Sequence, residues 1–245
     1  MRKPVIRRLM SMLLVVLSLL ALPDLHAAFF TPRARLAPEL ARELQVGDVV
    51  FTREPWLLVR KVGEASGSWT NHVGVVVDVS GPEPLVAESK FPRSVITPVS
   101  RFVARSEAGF VAVRRPVQPL SAAQQAVLRE AAQARIGQWY DLGFNLDSGR
   151  QFCSKLVYES LLEATGVEVG ERARFEELLA SQPHADTGFW RLWYLGRIPW
   201  QRETVTPASQ YRSVALNTIY DETLREPGPV VPAGPGTHVI ERLSK

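Results

Sequence analysis

A lone cysteine, Cys153, stands in GRQFCSKLVYES (residues 149–160), where the apolar spacing becomes that of a helix. A thiol in the first turn of a helix meets the positive end of the helix dipole and amide N–H groups without intrahelical acceptors, and both favour the thiolate. The thiolate attacks carbonyl carbon once a base has taken its proton, and histidine is the side chain suited to that at neutral pH. Of the four histidines, His26 borders the N-terminal apolar run, His184 follows Gln182 and Pro183 in an expected loop, and His238 lies in a Pro- and Gly-rich segment. His72 remains, at the start of HVGVVVDV, the clearest strand pattern of the chain.

A catalytic imidazole needs an acid to fix its tautomer. Glu88 ends LVAES, and in a hairpin turning within residues 80–84 any pairing with an even residue sum puts it on the same face as His72. The register stays open between direct pairing and an offset of two to four residues, and Asp78, nearer the turn, is the other acid. A plainer reading stands beside this one: a free cysteine is commonly a small buried hydrophobe, and a lone histidine or a glutamate at a strand end is commonly structural.

The remaining elements must bring these residues together. LQVGDVVFT (44–52) pairs a Gly-Asp turn with a short strand, WLLVRKVGEA (56–65) has helical spacing, and SVITPV (94–99) and FVAVRRP (110–116) add strands. Ser121 caps a helix that Gly137 ends, the cysteine helix stops at Thr165 and Gly166, and RARFEELLAS (172–181) makes a third. On the cysteine helix, Cys153, Leu156, Val157, Leu161 and Ala164 share one face, which points the sulfur inward. Strands followed by helices predict an α+β domain with a small antiparallel sheet packed against helices.

Residues 1–8 carry four basic side chains, residues 9–22 are almost wholly apolar, and Pro23 and the small residues near Ala27 follow. This is the pattern of a secretory signal peptide cleaved near Ala27, with an uncleaved anchor as the rival reading. Its removal takes away four cations and Asp24, so the formal charge of +4 falls to +1. The mature chain therefore offers no basic stripe for nucleic acid. One cysteine also precludes an internal disulfide, so a thiol kept in an oxidising compartment calls for a reason. The expected organisation is a signal peptide over residues 1–27, one domain over 28–225 and a Pro- and Gly-rich tail over 226–245. No Gly-x-Ser-x-Gly elbow, phosphate loop or zinc-ligand spacing occurs, and no cofactor or metal is expected. The aromatic run FWRLWYLGRIPW (189–200) has two readings: cover for one edge of the core, or an apolar wall for an acyl chain or membrane surface.

Taken together, LQVGDVVF, NHVGVVVD, LVAES and YDLGFNLDSGRQFCSKLVYES resemble the circularly permuted papain-like hydrolases of the YiiX/YaeF type, within the NlpC-like superfamily. The histidine strand precedes the cysteine helix, the reverse of ordinary papain-like enzymes. The resemblance implies Cys153 as nucleophile, His72 as base and Glu88 as the acid that holds it, with Tyr140 and Ser154 as oxyanion or cleft residues and Gly47 and Asp48 as structural. With the signal peptide, it implies an exported, periplasmic or cell-envelope thiol hydrolase, an amidase or endopeptidase acting through an acyl-enzyme. The expected substrate is a cell-envelope peptide link, or alternatively an acyl lipid on the same triad; membrane contact is allowed but not required. A non-catalytic binding module with a buried thiol is the remaining alternative.

Overall fold

The β-rich runs pair into one antiparallel sheet in the computed structural model, which describes residues 38–183 and 185–224. The expected signal peptide, the tail and both outer domain boundaries lie outside the described residues, as do His26, His184 and His238. Six strands build the sheet: β1 (Val49–Thr52), β2 (His72–Asp78), β3 (Leu85–Ser89), β4 (Ser94–Pro98), β5 (Val111–Pro116) and β8 (Leu216–Asp221). Their order is β4-β3-β2-β1-β5-β8. β6 (Arg172–Arg174) and β7 (Glu203–Val205) form a separate antiparallel ribbon.

The central strands read as continuous apolar runs because helices cover both faces of the sheet. On one face Val49, Phe51, Val73, Val75 and Ala87 pack with α4 (Ala122–Arg135) and α5 (Cys153–Thr165). On the other, Val50, Val76 and Val86 pack with Leu40 of α1 (Pro38–Glu43) and with Val99, Phe102 and Val103 of α3 (Val99–Val103). The expected inward face of the cysteine helix is the observed one: Cys153, Leu156, Val157, Leu161 and Ala164 all join the first cluster. A third apolar cluster lies beyond α5 and takes in Phe152, Phe175, Leu179, Trp190 and Val205, with α2 (Leu57–Ala65), α6 (Phe175–Ser181) and α7 (Thr187–Trp193) contributing. The fold is therefore α+β, as the sequence predicts.

Local chemistry sets the boundaries that matter for the site. The Ser121 hydroxyl accepts the Gln124 N–H at 3.3 Å while the Gln124 side chain accepts the Ser121 N–H at 3.0 Å, a reciprocal cap that starts α4. Gly166 takes φ +72 and ends α5. Gly47, at φ +100, lets the chain turn into β1, and the Asp48 carboxylate behind it accepts from Arg115 Nε at 2.7 Å and Nη2 at 2.8 Å. Several elements differ from the sequence reading, among them two strands. The helix expected over 172–181 begins at Phe175, because residues 172–174 pair with β7 instead. Edge strand β8 carries Asn217 and Thr218 in exposed positions, so its apolar pattern is too sparse to read.

Candidate active site

β2 and β3 place His72 and Glu88 on one face of the sheet. Their register pairs Gly74 with Glu88 and Val75 with Ala87, so Glu88 sits diagonal to His72, two residues along. A long side chain bridges that offset, and Glu88 Oε2 lies 2.7 Å from His72 Nε2. Asp78 stays at the turn, accepting from Ser80 N–H at 2.9 Å and Ser80 Oγ at 2.8 Å. Glycine is required at position 74. A Cβ there would come 2.5 Å from Val86 Cγ1 and 3.0 Å from Phe102 Cε2. Phe102 is the ring on which His72 stacks, with centroids 5.3 Å apart.

Glu88 is fully buried, and donors surround it. Thr97 Oγ1 donates to Oε1 at 2.6 Å, and Arg105 Nη2 donates to Oε2 at 2.6 Å. A buried carboxylate with three donors stays charged. From the opposite layer α5 brings Cys153, buried at its first turn, close enough to the His72 ring to raise its pKa. With Nε2 engaged by Glu88, Nδ1 is the ring nitrogen left to face sulfur. Phe152 provides no side-chain cap, so the first amides of α5 keep their donors for another acceptor.

Tyr140 lines the same cavity as Cys153. Its backbone N–H donates to Pro92 O at 2.9 Å, and it bridges in parallel to Gln151, which ties residue 140 to the start of α5. Burial, then the neighbouring charges of Cys153 and Asp141, push the Tyr140 phenol upward, so it remains a proton donor. Ser154 lines the same cleft, but its hydroxyl donates to Val205 O at 2.8 Å and braces α5 against β7. An oxyanion contact from Ser154 therefore falls to its backbone amide.

Opposed effects set the charge of the central pair. Burial pulls His72 down, but the neighbouring Cys153, the charge of Glu54 and the hydrogen bond to Glu88 outweigh it and raise the imidazole from 6.5 to about 10. Burial pushes Glu88 up, yet the His72 hydrogen bond and charge, with Arg105 and Thr97, hold it down at about 2. A raised base stabilises the fold fully below its unfolded value of 6.5 and loses that contribution as pH rises through about 10. A depressed acid contributes fully above 4.5 and loses it as pH falls through about 2. Thermal unfolding of parent and Glu88→Gln across pH should therefore differ most between pH 4.5 and 6.5, with the difference vanishing as pH falls through about 2 and narrowing as pH rises through about 10. A pH-independent difference would contradict the assignment of charges.

Four residues of this site escape the sequence reading: Thr97, Phe102, Arg105 and Glu54. Glu54 had a readable signal, since it follows β1 by two residues and β1 pairs Thr52 with His72. Its Oε1 stands 4.0 Å from His72 Nε2.

A histidine strand followed later in the chain by a cysteine helix, joined across an antiparallel sheet, defines a circularly permuted papain-like fold. Residues 43–220 match the family described as permuted papain-like amidase enzyme, YaeF/YiiX, C92 family, and the chain belongs to it. It is 29% identical over 185 residues to the uncharacterized protein YiiX of Escherichia coli (strain K12), spanning 76% of this chain and 90% of that protein. The crystal structure of metalloprotein YiiX from Escherichia coli O157:H7 superposes with a TM-score of 0.67 at 29% identity, covering 73% of this chain and 97% of that one. The family reading at this level is a hydrolase of the amidase class.

Proposed function

We propose that this chain is an exported cysteine amidase in which Cys153 is the nucleophile, His72 the general base and Glu88 the acid that orients it. The observation that carries the reading is a buried imidazole bound by Glu88 at 2.7 Å and raised in pKa by the neighbouring Cys153. His72 takes the thiol proton and the thiolate bonds to the amide carbon. The tetrahedral oxyanion is held by the first amides of α5 and the Tyr140 hydroxyl. His72 returns the proton to the departing nitrogen as the C–N bond breaks, leaving an S-acyl enzyme. Water then adds to the thioester, giving one proton to His72, and collapse restores the thiol and releases the acid.

Export is supported by the N-terminal pattern of basic, apolar and small residues. With it, peptide links of the cell envelope are the proposed substrates. A second reading keeps the same residues and takes an acyl lipid. It draws on the apolar lining of a small cavity beside Cys153, formed by Val62, Phe144, Phe152, Leu179, Trp190 and Val205, whose volume of about 40 Å³ suits a short apolar group rather than a whole acyl chain. The aromatic run thus supplies both core cover and one wall of this cavity through Trp190.

A metal ion does not fit these donors. Among the described residues no group of three or more His, Cys, Asp or Glu side chains is arranged to hold one. His72 and Glu88 are committed to each other, and the Arg105 guanidinium beside Glu88 would repel a cation.

The test is a panel of peptide amides and acyl esters, with the intact mass of the protein followed during turnover. The expected result is a transient acyl adduct on Cys153, and the class of compound that produces it separates the two substrate readings. Turnover with Cys153 replaced by alanine would overturn the nucleophile assignment.

A further inference from the structure

A second acid stands behind the first. Glu54 and Glu88 both approach Nε2 of His72, at 4.0 Å and 2.7 Å, and their side chains are 8% and 0% exposed. Arg105, which follows α3, reaches both. Its Nε donates to Glu54 Oε1 at 2.8 Å and its Nη2 to Glu88 Oε2 at 2.6 Å. The guanidinium lies 5.4 Å from the centroid of Phe102, the ring that carries the imidazole. Glu54 is fixed in turn by Asn71, whose Oδ1 accepts the Glu54 N–H at 2.7 Å and whose Nδ2 donates to Glu54 O at 3.0 Å.

Two buried carboxylates beside one N–H offer it two acceptors and repel each other, which would leave the ring without a single orientation. A planar guanidinium with donors in a fixed fork resolves that competition by holding one acid and sharing the other. We propose that Arg105 and Glu54 form a positioning clamp for His72, in which Arg105 selects Glu88 as the acceptor of the ring N–H and Glu54 lends the ring a second negative charge. This rests on the reading of His72 as the partner of Cys153. The charged and titratable groups around the ring are Glu54 after β1, Glu88 of β3, Lys90 just beyond it, Arg105 after α3, and Tyr140 and Cys153 from the opposite layer. Lys90 lies 3.7 Å from Glu88 Oε1 and is 40% exposed, so it shields the pair less than Arg105 does.

The test reads Cys153 through the pH dependence of its alkylation by iodoacetate in the parent, Glu54→Gln, Arg105→Gln and Arg105→Lys. The anionic reagent prefers a thiolate beside an imidazolium, so its rate falls when the imidazolium loses its proton. Glu54→Gln keeps an acceptor for Arg105 but removes the charge, and should move that upper limb down by about one pH unit. Arg105→Gln leaves both acids unneutralised and should move it up by about one unit. Arg105→Lys restores the charge without the fork, so the limb returns while kcat stays about tenfold low. Lost packing alone would not move the limb in opposite directions. Folded variants with an unmoved limb, or with both limbs moved the same way, would overturn the clamp. If Arg105→Gln does not fold, the near-isosteric Glu54→Gln decides it alone. A parent whose alkylation is that of an ordinary thiol would instead defeat the Cys153–His72 reading, a distinct outcome.

Discussion

His72→Ala is expected to fold and to lose turnover by about 10,000-fold or more, the loss seen when the base of a nucleophile-base pair is removed. Folding should survive because Glu88 keeps its other partners, Thr97 at 2.6 Å and Arg105 at 2.6 Å, so no buried charge is left alone. The remaining costs are the space left against Phe102 and the lost attraction between the imidazolium and Glu88, together about 3–5 kcal/mol. Chemistry has no such substitute. Among the described residues His72 is the one histidine at Cys153, and Tyr140, pushed upward by burial and nearby charge, is a donor and cannot take the thiol proton. Turnover and thermal unfolding measured together separate the two effects; wild-type turnover in His72→Ala would remove the base from the account.

Glu88 gives the second large effect, and two substitutions divide it. Glu88→Gln can keep its oxygen toward His72 and Arg105 while its NH₂ meets Thr97, whose hydroxyl also accepts. The ring then keeps its tautomer but loses a counter-charge, and turnover should fall roughly 100- to 1,000-fold. Glu88→Ala instead strips a fully buried acid from Arg105 and His72 and should cost about 3–5 kcal/mol of stability. Wild-type turnover in Glu88→Gln beside a loss in Asp78→Asn would reverse the assignment, although Asp78 is held at the turn by Ser80.

The residues that were legible in the sequence are those whose placement follows from periodicity. Cys153 is fixed by a helical face that its apolar partners define, and all of them join one cluster. His72 is fixed by the start of the strongest strand. Glu88 followed from strand parity alone, while its register required the structure, which offsets it by two residues and leaves Gly74 opposite. That glycine was legible as a letter, but its reason was not, because Phe102 reaches it from α3 on another part of the chain. Arg105 and Glu54 are further still from prediction. They lie 51 residues apart at element ends, and packing alone brings them together. β8 stayed hidden because an edge strand with one exposed face carries little apolar pattern.

The central claim is that Cys153 and His72 act as one unit, and the alkylation rate of Cys153 by neutral iodoacetamide near neutral pH tests it without any knowledge of the substrate. Parent protein should react faster than a free thiol despite the burial of its sulfur, and His72→Ala should react at least about tenfold more slowly at the same pH. Equal rates in the two proteins, both folded, would contradict the pairing and leave Cys153 a buried hydrophobe of the α5 face.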